Sequence, residues 1–179
     1  MVPYIHKRPA LEIIQSKIYP RETLEKLLEV WRFKGHKLVF TNGCFDILHL
    51  GHIDYLANAS DLGDELIVGL NSDASVKKLG KGNSRPLQDE VSRAKIIASL
   101  HFVSAVVLFD ETTPQNIIEF VNPDILVKGA DYDADETDPT HKKFIVGSDF
   151  VRSHKGLVKT LPFLQGFSTS AIEQKIRTQ

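Results

Sequence analysis

Short apolar runs alternate with amphipathic stretches along most of the chain, a pattern that predicts strands separated by helices. Leu24, Leu27, Leu28 and Trp31 recur at i, i+3, i+4 and i+7, one face of a helix over Arg21–Lys34. Pro20 ahead of it and Gly35 behind it are its start and stop signals. That helix is expected to complete the core or form a dimer contact, with no part in chemistry. From Lys37 onward, strands are predicted at Leu38–Thr41, Glu65–Leu70, Ala105–Phe109, Ile125–Val127 and Val158–Leu161. Helices are predicted at Ile53–Asp61, Asp73–Leu79, Glu90–Leu100, Pro114–Val121 and Thr169–Arg177, with a polar loop over Gly80–Pro86. Short, wholly apolar strands between helices imply a parallel sheet covered on both faces. Right-handed crossovers then make it an α/β, doubly wound, Rossmann-like fold. A helical extension over residues 1–36 is thus expected ahead of an α/β domain over 37–179. In such sheets ligands lie at the carboxyl ends of the strands. The turn after Leu38–Thr41, Asn71-Ser72-Asp73 and Lys128-Gly129-Ala130-Asp131 all fall there.

Composition narrows the class. At 179 residues, 42% hydrophobic and 25% charged, the chain has the make-up of a globular α/β domain. A net charge of −1 gives no support to nucleic-acid binding through bulk charge, although a local cationic pocket is compatible with it. Cys44 is the single cysteine, so no internal disulfide forms and no cysteine cluster suggests zinc. No apolar run approaches the roughly 20 residues of a membrane span. Met1–Ala10 lacks the apolar region of a signal peptide. A cytoplasmic enzyme or binding module is expected, with neither nucleic acid nor membrane as partner. Ala130–His141 is acidic and reads as a solvated loop, the alternatives being a mobile flap or a partner contact. Its alternating carboxylates lack the central Gly and terminal Glu of a calcium loop.

The chemistry concentrates in Gly43-Cys44-Phe45-Asp46-Ile47-Leu48-His49-Leu50-Gly51-His52. A strand feeds a tight turn and the turn opens a helix. Unpaired N–H groups and the helix dipole favour an anion at such a place, and imidazoles add donors. Gly51 lets backbone approach a nucleotide where a Cβ would intrude. Cys44 and Phe45 are expected to present backbone N–H groups to phosphates, as is Gly43 beside them. A nucleophilic Cys44 is not required. No G-x-x-x-x-G-K-[ST] or strand-linked G-x-G-x-x-G is present, so the usual kinase and dinucleotide explanations fail.

The decapeptide resembles the signature of the cytidylyltransferase-like nucleotidyltransferases, G-x-F-D-x-x-H-x-G-H, and matches it at every defined position. Asn71-Ser72-Asp73-Ala74-Ser75-Val76, Arg85-Pro86, Thr113-Pro114-Gln115, Lys128-Gly129-Ala130-Asp131-Tyr132 and Gly166-Phe167-Ser168-Thr169-Ser170 follow in order. Together they look like the adenylyltransferase branch acting on D-glycero-D-manno-heptose 1-phosphate, in stand-alone form. The resemblance implies transfer of AMP from ATP to that sugar phosphate, with Mg²⁺ accompanying ATP, for lipopolysaccharide core or surface glycan synthesis. A cytidylyltransferase for glycerol 3-phosphate or another phosphorylated alcohol is the alternative. A homodimer is expected from family habit.

In this reading His49 and His52 donate to the α- and β-phosphate region, and Lys81 joins them as a catalytic cation. Ser168, Thr169 and Ser170 are N-caps that also hold the β- and γ-phosphates. The family carries Ser-Thr-Thr there, and Ser170 is a mild departure. Lys78 and Lys81 reach toward the triphosphate or sugar phosphate unless they are solvated surface lysines. Arg93 is a salt-bridged surface arginine on its own merits; the resemblance makes it a phosphate contact. Lys128 is assigned to the sugar phosphate, against a simple pairing with Asp124 or Asp131. Asn71, Asp73 and Asp131 complete the substrate set. Asp46 orients sugar hydroxyls, holds a magnesium water or caps the helix. No protein-built metal site is expected.

Overall fold

A computed structural model describes residues 8–79 and 85–178. Its five strands are β1 (Leu38–Gly43), β2 (Glu65–Asn71), β3 (Ala105–Phe109), β4 (Ile125–Gly129) and β5 (Leu157–Leu161). They form one parallel sheet in the order β3-β2-β1-β4-β5. The helices among the described residues are α1 (Ala10–Gln15), α2 (Arg21–Phe33), α3 (Leu50–Ser60), α4 (Asp73–Lys78), α5 (Glu90–Ala98), α6 (Gln115–Val121), α7 (Ser148–Ser153) and α8 (Thr169–Arg177). The doubly wound expectation holds. The chain runs outward from β1 to β3, returns through α6 to β4 beside β1, and continues to β5. The reversal between β1 and β4 is the switch point, where a ligand crevice opens at the strands' carboxyl ends.

The period-2 alternation of strand side chains builds two cores, one on each face of the sheet. Leu38, Phe40, Ile67, Val107 and Leu126 point to one face and meet Leu24, Leu28 and Trp31 of α2, Ile117, Ile118 and Val121 of α6, and Val151 of α7. Val39, Leu66, Val68, Val106 and Val127 point to the other and meet Tyr55, Leu56 and Ala59 of α3 and Ala94, Ile97 and Ala98 of α5. α2 therefore shares a core with β1, and its heptad-like face is the one buried. The outer edge of β3 is closed by the segment after α1: Tyr19 N donates to Val106 O at 2.9 Å and Val106 N to Lys17 O at 2.8 Å. Pairing of this kind removes an aggregation-prone edge.

Differences from the sequence reading sit at element ends and in two further helices. α3 begins at Leu50, three residues before the predicted start, because His49 is extended (φ −138°, ψ 169°) and serves as its N-cap. His52 therefore lies in the first helical turn. β4 runs on through Lys128 and Gly129, beyond the apolar run that announces it. α1 and α7 are additions. α7 starts from Gly147, whose φ of +86° and close packing on Ile118 leave no room for a side chain. The acidic segment over 130–141 folds onto itself: Asp133, Glu136 and Asp138 carboxylates accept N–H groups from their own loop. No helix among the described residues is long and apolar enough to cross a membrane.

Candidate active site

The signature turn leaves the carboxyl end of β1 sharply. Phe45 takes a left-handed φ of +44°, a conformation costing on the order of 1–2 kcal/mol in a side-chain-bearing residue. A Cβ at Gly43 would stand 3.0 Å from the Phe45 ring, so the small residue accommodates the fold-back. The chain then enters α3 with its two imidazoles stacked, ring centroids 3.8 Å apart and 19° from parallel. Phe45 meets the His52 ring edge-on at 5.2 Å. A Cβ on Gly51 would press on His49 Nδ1 at 3.1 Å and Phe167 Cβ at 3.2 Å. Burial lowers the proton affinity of His49. Burial, and then the neighbouring His49, bring His52 down to about 4, with the Ile47 backbone carbonyl acting in opposition. Both rings are therefore neutral at pH 7. The buried Nδ1 of His49 has no hydrogen-bond partner among the described residues.

These rings open onto a cavity of about 740 Å³, which suits a nucleotide with a second small substrate. Gly43, Cys44, Phe45, His49, Gly51, His52, Asn71, Lys128, Asp131, Ser168 and Thr169 all line it. The α8 start stands on another wall, where Ser168 is an extended N-cap accepting from Ala171 N at 3.1 Å. The first N–H groups of such a helix face outward unpaired. Lys128 is buried at the end of β4, donates to Asn42 Oδ1 at 2.6 Å and lies 5.4 Å over the Tyr132 ring. Burial pulls its pKa to about 8, with Asp131 opposing. Cys44 Sγ faces Asn71 Oδ1 at 3.8 Å, a thiol engaged with an amide.

Several expected contacts stand outside the cavity wall. Arg93 is fully buried beneath the turn. Its Nε donates to Gln88 O (3.0 Å), its Nη1 to Cys44 O and Asn71 O (2.8 Å each), and its Nη2 to Asp73 Oδ1 (2.6 Å). Neither Arg93 nor Asp73 is presented to a phosphate; they brace the β1 and β2 ends. Asp46 is likewise engaged: it accepts from Arg85 Nη1 at 2.5 Å and from Leu87 and Gln88 N–H. Burial disfavours its charge, but the Gln88 and Leu87 N–H groups and Arg85 prevail and keep its carboxyl below the usual range. Lys78 points to Asp110 O at 3.4 Å on the surface. Ser170 is exposed and lies beyond the cavity lining. Lys81 falls outside the described residues. The structure adds Asn42, Tyr55, Thr112, Thr113, Val146, Phe163 and Phe167 to the wall. Asn42 lies within β1, one residue before the signature decapeptide, and Thr113 lies in a motif segment just ahead of α6. Phe163 carries no sequence signal and enters because its ring packs on Gly129.

A parallel α/β sheet with an H-x-G-H helix start at its switch point is the architecture of a nucleotidyltransferase. Residues 40–175 match the model of the cytidylyltransferase-like family, and the chain belongs to that family and is a nucleotidyltransferase enzyme. It is 48% identical over 163 residues to the bifunctional protein HldE of Wolinella succinogenes, covering 91% of this chain and 32% of that protein. With the bifunctional protein HldE of Campylobacter jejuni subsp. doylei it shares 54% identity over 153 residues, 86% of this chain and 30% of that protein. The chain thus spans about a third of the length of these relatives. Among solved structures, the lipopolysaccharide core biosynthesis protein of Thermoplasma volcanium GSS1 is 32% identical, with a TM-score of 0.55 over 73% of this chain and 98% of that one. The pantoate-β-alanine ligase of Francisella tularensis, solved with βγ ATP and β-alanine, shares the fold at 13% identity and a TM-score of 0.58, covering 89% of this chain and 76% of that one.

Proposed function

We propose that the enzyme transfers AMP from ATP to D-glycero-D-manno-heptose 1-phosphate, giving ADP-heptose and pyrophosphate. The observation that carries the proposal is one cavity lined by two sets of donors. His49, His52, Ser168 and Thr169 form one, and Lys128, steadied by Asn42, supplies the other. A sugar-phosphate oxygen attacks the α-phosphorus, a P–O bond to the β-phosphate breaks, and pyrophosphate leaves. The attacking phosphate is already largely ionised at pH 7, so no protein base is needed. Neutral imidazoles are suited to this, since each keeps one N–H to donate to phosphoryl oxygens as charge grows on them. Lys128 offsets the charge of the second phosphate. Catalysis of this kind is positioning and electrostatic stabilisation. Magnesium enters this reaction with ATP, held mainly by the phosphate oxygens.

The ordered motifs support the heptose, as does likeness to a protein named for lipopolysaccharide core biosynthesis. The experiment incubates the chain with ATP, Mg²⁺ and heptose 1-phosphate, and in parallel with CTP, Mg²⁺ and glycerol 3-phosphate. ADP-heptose and pyrophosphate are the expected products of the first mixture. Turnover of the second mixture alone removes this assignment and leaves a cytidylyltransferase.

A further inference from the structure

α8 is attached to the rest of the protein by few groups. Its Ile172 and Ile176 join neither core cluster, and Ile176 is 67% exposed. Among the described residues, a single polar contact ties an α8 side chain to another element: Glu173 Oε1 accepts from Arg85 Nη2. The same guanidinium donates through Nη1 to Asp46 in the signature turn. Asp46 is itself fixed by the Leu87 and Gln88 N–H groups, so Arg85 is anchored at one end before it reaches α8. Its side chain is 16% exposed and that of Glu173 27%, so water screens the contact only in part. Glu173 stands in the second turn of α8, and holding it also holds the helix start that lines the cavity.

We propose that Arg85 is a positioning residue that fastens α8 to the signature turn and keeps Ser168 and Thr169 across the cavity from His49 and His52. The proposal rests on the reading that nucleotide phosphates lie between those two helix starts. A planar guanidinium spans two carboxylates at once; an ammonium cannot copy that geometry. Without the tie, α8 opens more often, and nucleotide is bound by the smaller fraction of molecules with both helix starts in place.

Hydrogen–deuterium exchange on the unliganded protein reads the fastening directly. Glu173→Gln and Arg85→Lys are expected to raise exchange over 169–178 about tenfold while β1 to β4 stay protected. In steady state the same variants raise the KM for ATP about tenfold and leave kcat within about twofold, with Glu173→Asp between them and wild type. Unchanged α8 exchange in Glu173→Gln overturns the proposal, as does a loosened α8 with an unaltered KM. Wild-type protein that does not turn over ATP strikes the proposed function instead; the exchange comparison, made without substrate, still decides the fastening.

Discussion

Replacing Arg93 with Met separates a bracing arginine from a phosphate-binding one. The guanidinium is fully buried and makes four hydrogen bonds, to the carbonyls of Gln88, Cys44 and Asn71 and to the Asp73 carboxylate. Methionine fills much of the volume and supplies none of the donors. Each stranded carbonyl costs about 1 kcal/mol or more if water cannot reach it. Removing one partner of a buried ion pair costs about 3–5 kcal/mol, and the partial exposure of Asp73, 30%, places this pair toward the lower end. A total near 6 kcal/mol is a large share of the roughly 5–15 kcal/mol that stabilises a domain. It lowers Tm by roughly 15 °C. Urea unfolding with a constant m-value checks the size, and KM for ATP, measured well below the new midpoint, checks the role. Arg93→Lys restores the charge but not the fork and recovers only part of the loss. A variant with an unmoved midpoint and a tenfold higher KM for ATP would refute the bracing role and restore Arg93 to the phosphates.

His49→Ala and His52→Ala are each expected to lower kcat on the order of 10²–10³ with the fold unchanged by circular dichroism, whereas equal activity removes the donors from the mechanism. Gly129→Ala puts a Cβ 2.1 Å from Phe163 Cζ and 2.9 Å from Asp131 Oδ1; because Phe163 is half exposed its ring swings aside, so KM rises a few-fold with little change in Tm. Acid stability follows His52: its folded value of about 4 lies below the ordinary 6.5, so between them the unfolded chain binds a proton the folded one refuses. Stability therefore falls as pH drops from about 6.5 to about 4, and His52→Gln flattens that slope in urea midpoints taken at pH 7 and pH 5.

The sheet was legible because β1 to β4 are built on short apolar runs buried on both faces, whereas the edge strand β5, Leu-Val-Lys-Thr-Leu, is half exposed and reads by alternation. The run ends before the strand does in β4, where Lys128 and Gly129 belong to the cavity as well as to the ladder. α1 and α7 were not legible: at six residues each they are too short for an apolar stripe to repeat. Within the site, spacing identified which residues gather at the switch point but not which way they face. Arg93 shows the difference. It lies four residues before Ile97, on the buried face of α5 with Ala94 and Ile97, so helical period alone places it inward. The motif drew it toward the phosphates, and the carbonyl ends of β1 and β2 take it instead. Asp46 is the same case, a signature acid consumed by the backbone of the Leu87 turn.

The division of labour has an electrostatic logic. Two imidazoliums 3.8 Å apart would repel strongly, and burial penalises each of them further. An empty cavity lined with fixed cations would also be costly to fold. The arginine charges are therefore placed behind the wall and neutralised there, Arg93 by Asp73 and Arg85 by Asp46 and Glu173. The wall itself offers neutral donors: two imidazoles, hydroxyls and the outward N–H groups of α3 and α8. Lys128 is the one wall cation among the described residues that burial weakens, and its partner Asn42 is an uncharged acceptor. An arriving triphosphate further favours the charged form of Lys128 and accepts from the neutral imidazoles. The cavity therefore meets it with a single lysine and neutral donors, and no cluster of like charges has to be held together in the empty state.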